Sequence, residues 1–288
     1  HSWDDWTFHK LKTPRGYATP RIEQLMPQFA LADEDIEALV ILLGGFRERK
    51  VGHRHQADQG LRVRQVVEGR RLMQRYNCIG CHEIENRGGY VKKYYEDQAL
   101  APPPLNGQGE KVQSQWFYGF MKAPIPLRPW LDIRMPTFGL SERHATELVH
   151  YFNGLSKIEQ PFVYIDDRAI PPEQIEAGKR LASRDYFDCF SCHVQGDRLP
   201  EGPREGWAPD LALARQRLNP SWIIRWLKDP QQVQPGTRMP SFYPGGPDDI
   251  LGGNEEKQIE ALRDYLLTLG RGAAAPAPGA AAKAKASK

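Results

Sequence analysis

Five stretches of the chain carry the pattern of amphipathic helices: Asp33 to Leu43, Leu61 to Met73, Ser141 to Phe152, Glu173 to Leu181 and Glu255 to Leu269. In the first, third and fifth, apolar residues return every three or four positions, which lays them along one helical face. Asp33 and Ser141 stand where N-caps are expected. The three also share what precedes them: a tryptophan, a proline eight residues on, then Met-Pro-x-Phe. The copies read Trp6, Pro14, Met26-Pro27-Gln28-Phe29; Trp116, Pro124, Met135-Pro136-Thr137-Phe138; and Trp222, Pro230, Met239-Pro240-Ser241-Phe242. A pattern repeated three times predicts three related units, the first present only as its second half. The expected boundaries are 1–52 for this half, 60–156 and 172–270 for the complete units, 157–171 for an extended linker, and 271–288 for a tail. From Gly272 onward that tail contains only Ala, Pro, Gly, Lys and Ser, too little apolar surface for a core, so disorder or partner binding is expected.

Composition narrows the classes. With 288 residues there is room for two ordinary domains. The 39 basic and 36 acidic residues nearly cancel, so charge gives no argument for nucleic acid and no direction of electrostatic steering. The 24 prolines and 26 glycines suggest helical units joined by long loops. The longest apolar run, Ala38 to Leu43, falls far short of the roughly 20 residues that span a bilayer.

All four cysteines lie in two copies of one pentapeptide, Cys78-Ile79-Gly80-Cys81-His82 and Cys189-Phe190-Ser191-Cys192-His193. C-x-x-C-H is the attachment signature of c-type haem. Cys78 and Cys81, and likewise Cys189 and Cys192, can form thioethers to the two vinyl groups of one porphyrin. His82 and His193 then face the iron. A shared zinc ribbon would want its C-x-x-C pairs roughly 15–20 residues apart, and these are more than a hundred apart; a thiol–disulfide motif does not require the histidine. Met135 and Met239 follow their histidines by 53 and 46 residues and are the distal-ligand candidates. The alternatives are methionines that only fill the core, or ligation by His144, His150, His53 or His55. Met26 is a ligand only if a third haem has its attachment half upstream of His1, and core otherwise.

These motifs resemble the class I cytochrome c family, over both complete units almost end to end and over the N-terminal fragment as a second half. The resemblance implies an all-α fold of tandem cytochrome c domains with long loops around covalent haem, plus a partial N-terminal half-domain. It implies a small residue facing the partner helix before each C-x-x-C-H, matched by Gly69 and Gly178. It also implies a proline loop whose carbonyl holds the proximal histidine, matched by Pro104-Leu105 and Pro209-Asp210-Leu211. The third copy departs by a longer stretch, Tyr243 to Asn254, that could cover a haem edge or dock a partner. Arg134 and Arg238 precede the methionines and suit haem propionates, with surface solvation the alternative; Leu25 stands there in the fragment. Trp116 and Trp222 could reach propionates through the indole N–H or simply pack.

The function these expectations support is a multihaem cytochrome that relays single electrons and catalyses no reaction itself. It carries two haems c, with a third if the upstream half exists. Its expected partners are redox proteins, the other subunits of a membrane-associated respiratory complex. Because c-type haem is attached outside the bacterial cytoplasmic membrane, export to the periplasmic side and a cleaved or unseen upstream segment are expected. The rival is a dihaem peroxidase-like enzyme with one open iron, against which the two Met-Pro-x-Phe copies count.

Overall fold

The computed structural model describes residues 2–21, 26–46, 60–166 and 169–271. Leu25, His53, His55 and the tail beyond Arg271 lie outside them. The chain is all-α and divides into two units, 1–60 and 61–288.

In the N-terminal unit, helix α1 (Trp3–Lys12) is capped by Ser2, whose Oγ accepts from Asp5 N at 3.1 Å. It packs on α2 (Asp33–Phe46), where Ile36 is buried and Gly44 faces the Trp3 ring. Asp33 proves to be the first helical residue rather than the cap. Its carboxylate pairs with Lys12 at 2.8 Å, while Asp35 reaches back to Ala32 N. Much of the apolar side of α2 stays exposed, including Leu42 and Phe46. Met26 lies half-buried in the extended segment before α2 and belongs to neither of the large cores described next.

The second unit holds two lobes, each around its own core. In the first, α3 (Leu61–Arg75) crosses α5 (Glu142–Leu155), with α4 (Ser114–Lys122) against α5. Leu72, Met73, Phe117, Leu148, Tyr151 and Phe152 fill that core. Ser141 does cap α5, accepting from His144 N at 3.1 Å. In the second lobe α6 (Pro172–Leu181) crosses α8 (Glu255–Thr268), and α7 (Pro220–Lys228) packs on α8. Leu181, Trp222, Ile223, Leu262 and Leu266 are at its centre. No helix among the described residues is long and apolar enough to cross a membrane.

Two glycines set the helix crossings. A Cβ on Gly69 would sit 2.2 Å from Tyr151 Cβ, and one on Gly178 only 2.1 Å from the Ala261 carbonyl oxygen. Any side chain there would force the helices apart. The first crossing is further tied by Arg70, whose guanidinium donates to Glu85 from Nε at 2.8 Å and from Nη2 at 2.5 Å. Tyr151 donates to the same carboxylate at 3.2 Å.

One small sheet interrupts the helices, a feature absent from the sequence pattern. β1 (Glu83–Ile84) and β2 (Arg87–Gly88) are joined by Glu85 and Asn86, both at positive φ, the two-residue geometry that matches strand twist. The Tyr243–Asn254 stretch is not a free flap. Tyr243 and Ile250 are buried, and the wholly buried Gln258 of α8 donates to the carbonyls of Pro247 at 2.7 Å and Ile250 at 2.8 Å.

Candidate functional site

The two pentapeptides sit at corresponding places, directly after α3 and shortly after α6. In each, the residue before the first cysteine is left-handed: Asn77 with φ 51° and Asp188 with φ 46°. Asn and Asp tolerate that region better than other non-glycine residues. It turns the chain out of the preceding helix into a single tight turn. His82 N closes the first turn on Cys78 O at 2.9 Å, and His193 N closes the second on Cys189 O at 2.9 Å. Gly89 N then caps the first, donating to Ile79 O and His82 O. Gly88 has no alternative there, since at φ 90° a Cβ would fall 2.5 Å from Ile79 O.

The histidines are fixed identically. His82 Nδ1 lies 2.8 Å from Pro103 O, and His193 Nδ1 lies 2.8 Å from Pro209 O. A carbonyl only accepts, so Nδ1 carries the proton and Nε2 keeps its lone pair for a metal. In the first lobe the acceptor is Pro103, one residue earlier than the Pro104 expected from sequence. The run of three prolines, Pro102 to Pro104, hides the register, which the backbone reveals: Leu105 N bonds Glu83 O as Leu211 N bonds Val194 O. Burial lowers the pKa of both rings, against the smaller raising effect of the carbonyl bond, and favours the neutral, ligating form.

No disulfide joins the four cysteines. Burial pushes Cys78 up to about 11 and Cys189 up to about 12. A redox C-x-x-C needs the opposite shift, toward thiolate. Among the described residues no three His, Cys, Asp or Glu side chains converge in the way a metal ion needs.

Met135 packs against the core that receives Cys78, and Met239 against the core that receives Cys189; both are half-buried. Their loops are braced by different means. Arg134 donates to the carbonyls of Pro129 (3.0 Å), Leu131 and Ile133 (2.7 Å), so its guanidinium holds its own loop. In the second lobe Gln231 does this work, donating to Thr237 O at 2.8 Å and Met239 O at 3.2 Å. Arg238 turns away instead, pairing with Asp97 of the first lobe and donating to Glu205 O. The two arginines, parallel in sequence, thus have different surroundings. Of the other histidines, His144 Nδ1 is engaged by Tyr76 Oη at 2.7 Å, and His150 lies on the exposed side of α5.

The lobes meet along a seam with local two-fold character. Val112 and Leu218 pair as an antiparallel bridge. Gln113 N donates to Arg217 O at 2.9 Å, and Asn219 N returns to Lys111 O at 3.0 Å. The side chains repeat the exchange: Gln113 Nε2 donates to Arg215 O and Leu218 O, and Asn219 Nδ2 to Glu110 O and Val112 O. Trp116 stacks on Phe120 at 4.9 Å and Trp222 on Trp226 at 5.0 Å. Onto these pairs fall two cations from the opposite lobe. Lys111 Nζ is 4.9 Å from the Trp222 ring centre, and Arg217 Cζ is 5.4 Å from that of Trp116.

Lys111 and Arg217 are the residues sequence reading missed. Each lies five positions before its repeat tryptophan, and extending the repeat upstream would have found them. Trp130 Nε1, Tyr243 Oη and Arg217 Nε are buried without a hydrogen-bond partner. These unpartnered donors, and imidazoles that keep Nε2 open, are the groups that a flat metal-centred ligand with carboxylate arms would engage.

No family model matches the chain, and no solved structure matches it. Over 94 residues the chain is 30% identical to one of the subunits of nitric oxide reductase from Stutzerimonas stutzeri. The matched span takes in 33% of this chain and 60% of that protein.

Proposed function

We propose that the chain is a dihaem c-type cytochrome that passes single electrons and works as a subunit of a membrane-associated respiratory complex on the periplasmic side. The observation that carries this reading is the duplicated C-x-x-C-H with each histidine Nδ1 held at 2.8 Å by a proline carbonyl. The similarity to a subunit of nitric oxide reductase supports a place in an oxidoreductase assembly.

Bound covalently at each site, haem supplies a one-electron iron couple. Cys78, Cys81, Cys189 and Cys192 fix its edge. His82 and His193 present Nε2 in a set ring plane. Met135 and Met239, on loops braced by Arg134 and Gln231, offer thioether sulfur, which favours the ferrous state and raises the potential relative to a second histidine. With His82 and Met135, or His193 and Met239, holding the iron, the haem would offer no open position to a substrate, and these residues would serve electron transfer. Met26 would serve a third haem if an attachment half precedes it.

Carbon monoxide binding to the reduced, haem-loaded protein tests this. Neither haem should bind it rapidly. Rapid ligation at one haem would replace the relay with a peroxidase-like enzyme.

A further inference from the structure

The seam holds two cations with no counter-charge. Lys111 and Arg217 are largely enclosed and form no ion pair among the described residues; burial first, and the charge of Arg217 second, bring the Lys111 pKa down to about 7. Their surroundings are the stacked pairs Trp116–Phe120 and Trp222–Trp226. The nearby carboxylate of Glu110 is committed to Arg225. Arg217 Nε is buried without an acceptor. Cation–π contact offsets part of the desolvation; with no anion present Lys111 escapes the remainder by losing its proton, and a carboxylate joining the pair keeps both charges.

We propose that Lys111 and Arg217 together form an anion site that takes propionate carboxylates from the haems of both lobes, making the two reduction potentials interdependent. The inference rests on the dihaem reading. The geometry favours sharing over separate service, because each cation rises from one lobe and lies over the tryptophans of the other. The reciprocal bonds of Gln113 and Asn219 fix the two at one distance. A positive charge beside a propionate destabilises ferric iron, so a site shared between haems lifts both potentials.

The test uses the haem-loaded chain and its variants Lys111→Met and Lys111→Arg. Spectroelectrochemical titration gives both midpoints, assigned by Met239→Ala, which displaces the second haem's by far the more. Both midpoints should fall in Lys111→Met and return in Lys111→Arg. Thermal unfolding supplies an independent sign. Removing a buried charge that lacks a partner raises the melting temperature, whereas removing one that holds a carboxylate lowers it; we expect it to fall. Movement of one midpoint alone would overturn the sharing, and a raised melting temperature with unmoved midpoints would overturn the anion site. Midpoints that track buffer phosphate concentration would assign the site to a diffusible anion and overturn it likewise. A chain that carries no haem fails the dihaem reading itself, which haem content reveals before any titration.

Discussion

Replacing Gly178 by alanine tests how the second lobe is held. The new Cβ would stand 2.1 Å from Ala261 O, 2.6 Å from Ala261 C and 2.8 Å from Tyr265 Cβ. Two of these atoms are helix backbone, which cannot rotate aside, so α6 and α8 must separate by about 1 Å to restore van der Waals contact. Overpacking of this kind costs about 1–3 kcal/mol, and the better helix propensity of alanine returns about 1 kcal/mol. The net loss reaches about 2 kcal/mol at most, and each kcal/mol lowers the melting temperature by roughly 4–8 °C for a lobe of this size. Gly119 in α4 is the control: a Cβ there meets nothing within 4 Å, so Gly119→Ala gains the propensity alone and raises stability. The assay is thermal unfolding of the haem-loaded protein followed by far-ultraviolet circular dichroism. Gly178→Ala gaining stability as Gly119→Ala does would refute the close crossing.

Three further outcomes follow from the sites. Met135→Ala and Met239→Ala should each lower one haem midpoint and open that iron to carbon monoxide; an unchanged spectrum and midpoint would remove that methionine as a ligand. Glu85→Gln should cost about 1 kcal/mol, discounted because the Arg70 pair is partly solvated. Hydrogen bonding from Arg70 holds the Glu85 pKa below the usual carboxylate range. Its contribution is therefore complete above the ordinary glutamate pKa and fades as pH falls through the depressed one; acid unfolding curves of wild type and variant should converge there. Gln113→Ala leaves the carbonyls of Arg215 and Leu218 without their donor and should cost about 1–3 kcal/mol, read as a lower denaturant midpoint; an unchanged midpoint would show that the seam contributes little.

The all-α class and the starts of the five long helices could be read from apolar spacing, because those helices bury one face against a neighbour. Helix ends were less legible: α2 runs on to Phe46 and α5 to Leu155, past the last residue of the apolar pattern. Gly69 and Gly178 were legible only through the family resemblance, and the crossings show why no side chain fits there. The proline register was misread, since Pro103 and Pro104 are equally able to offer a carbonyl and only the backbone ladder distinguishes them. Arg134 and Arg238 share a sequence position but not a neighbour, and no local pattern foretells which carbonyl or carboxylate a long side chain will find. The seam was invisible for the same reason. Its contacts join residues about a hundred positions apart, and they appear in the sequence only as a lysine and an arginine in equivalent places.

Covalent haem on both pentapeptides is the central claim, and peptide mass mapping of the denatured natural protein tests it most directly, because thioether-bound haem survives unfolding. The account predicts that the peptides containing Cys78–His82 and Cys189–His193 each carry one haem and that neither releases a free thiol. Unmodified cysteines in either peptide, detected as alkylatable thiols, would contradict it.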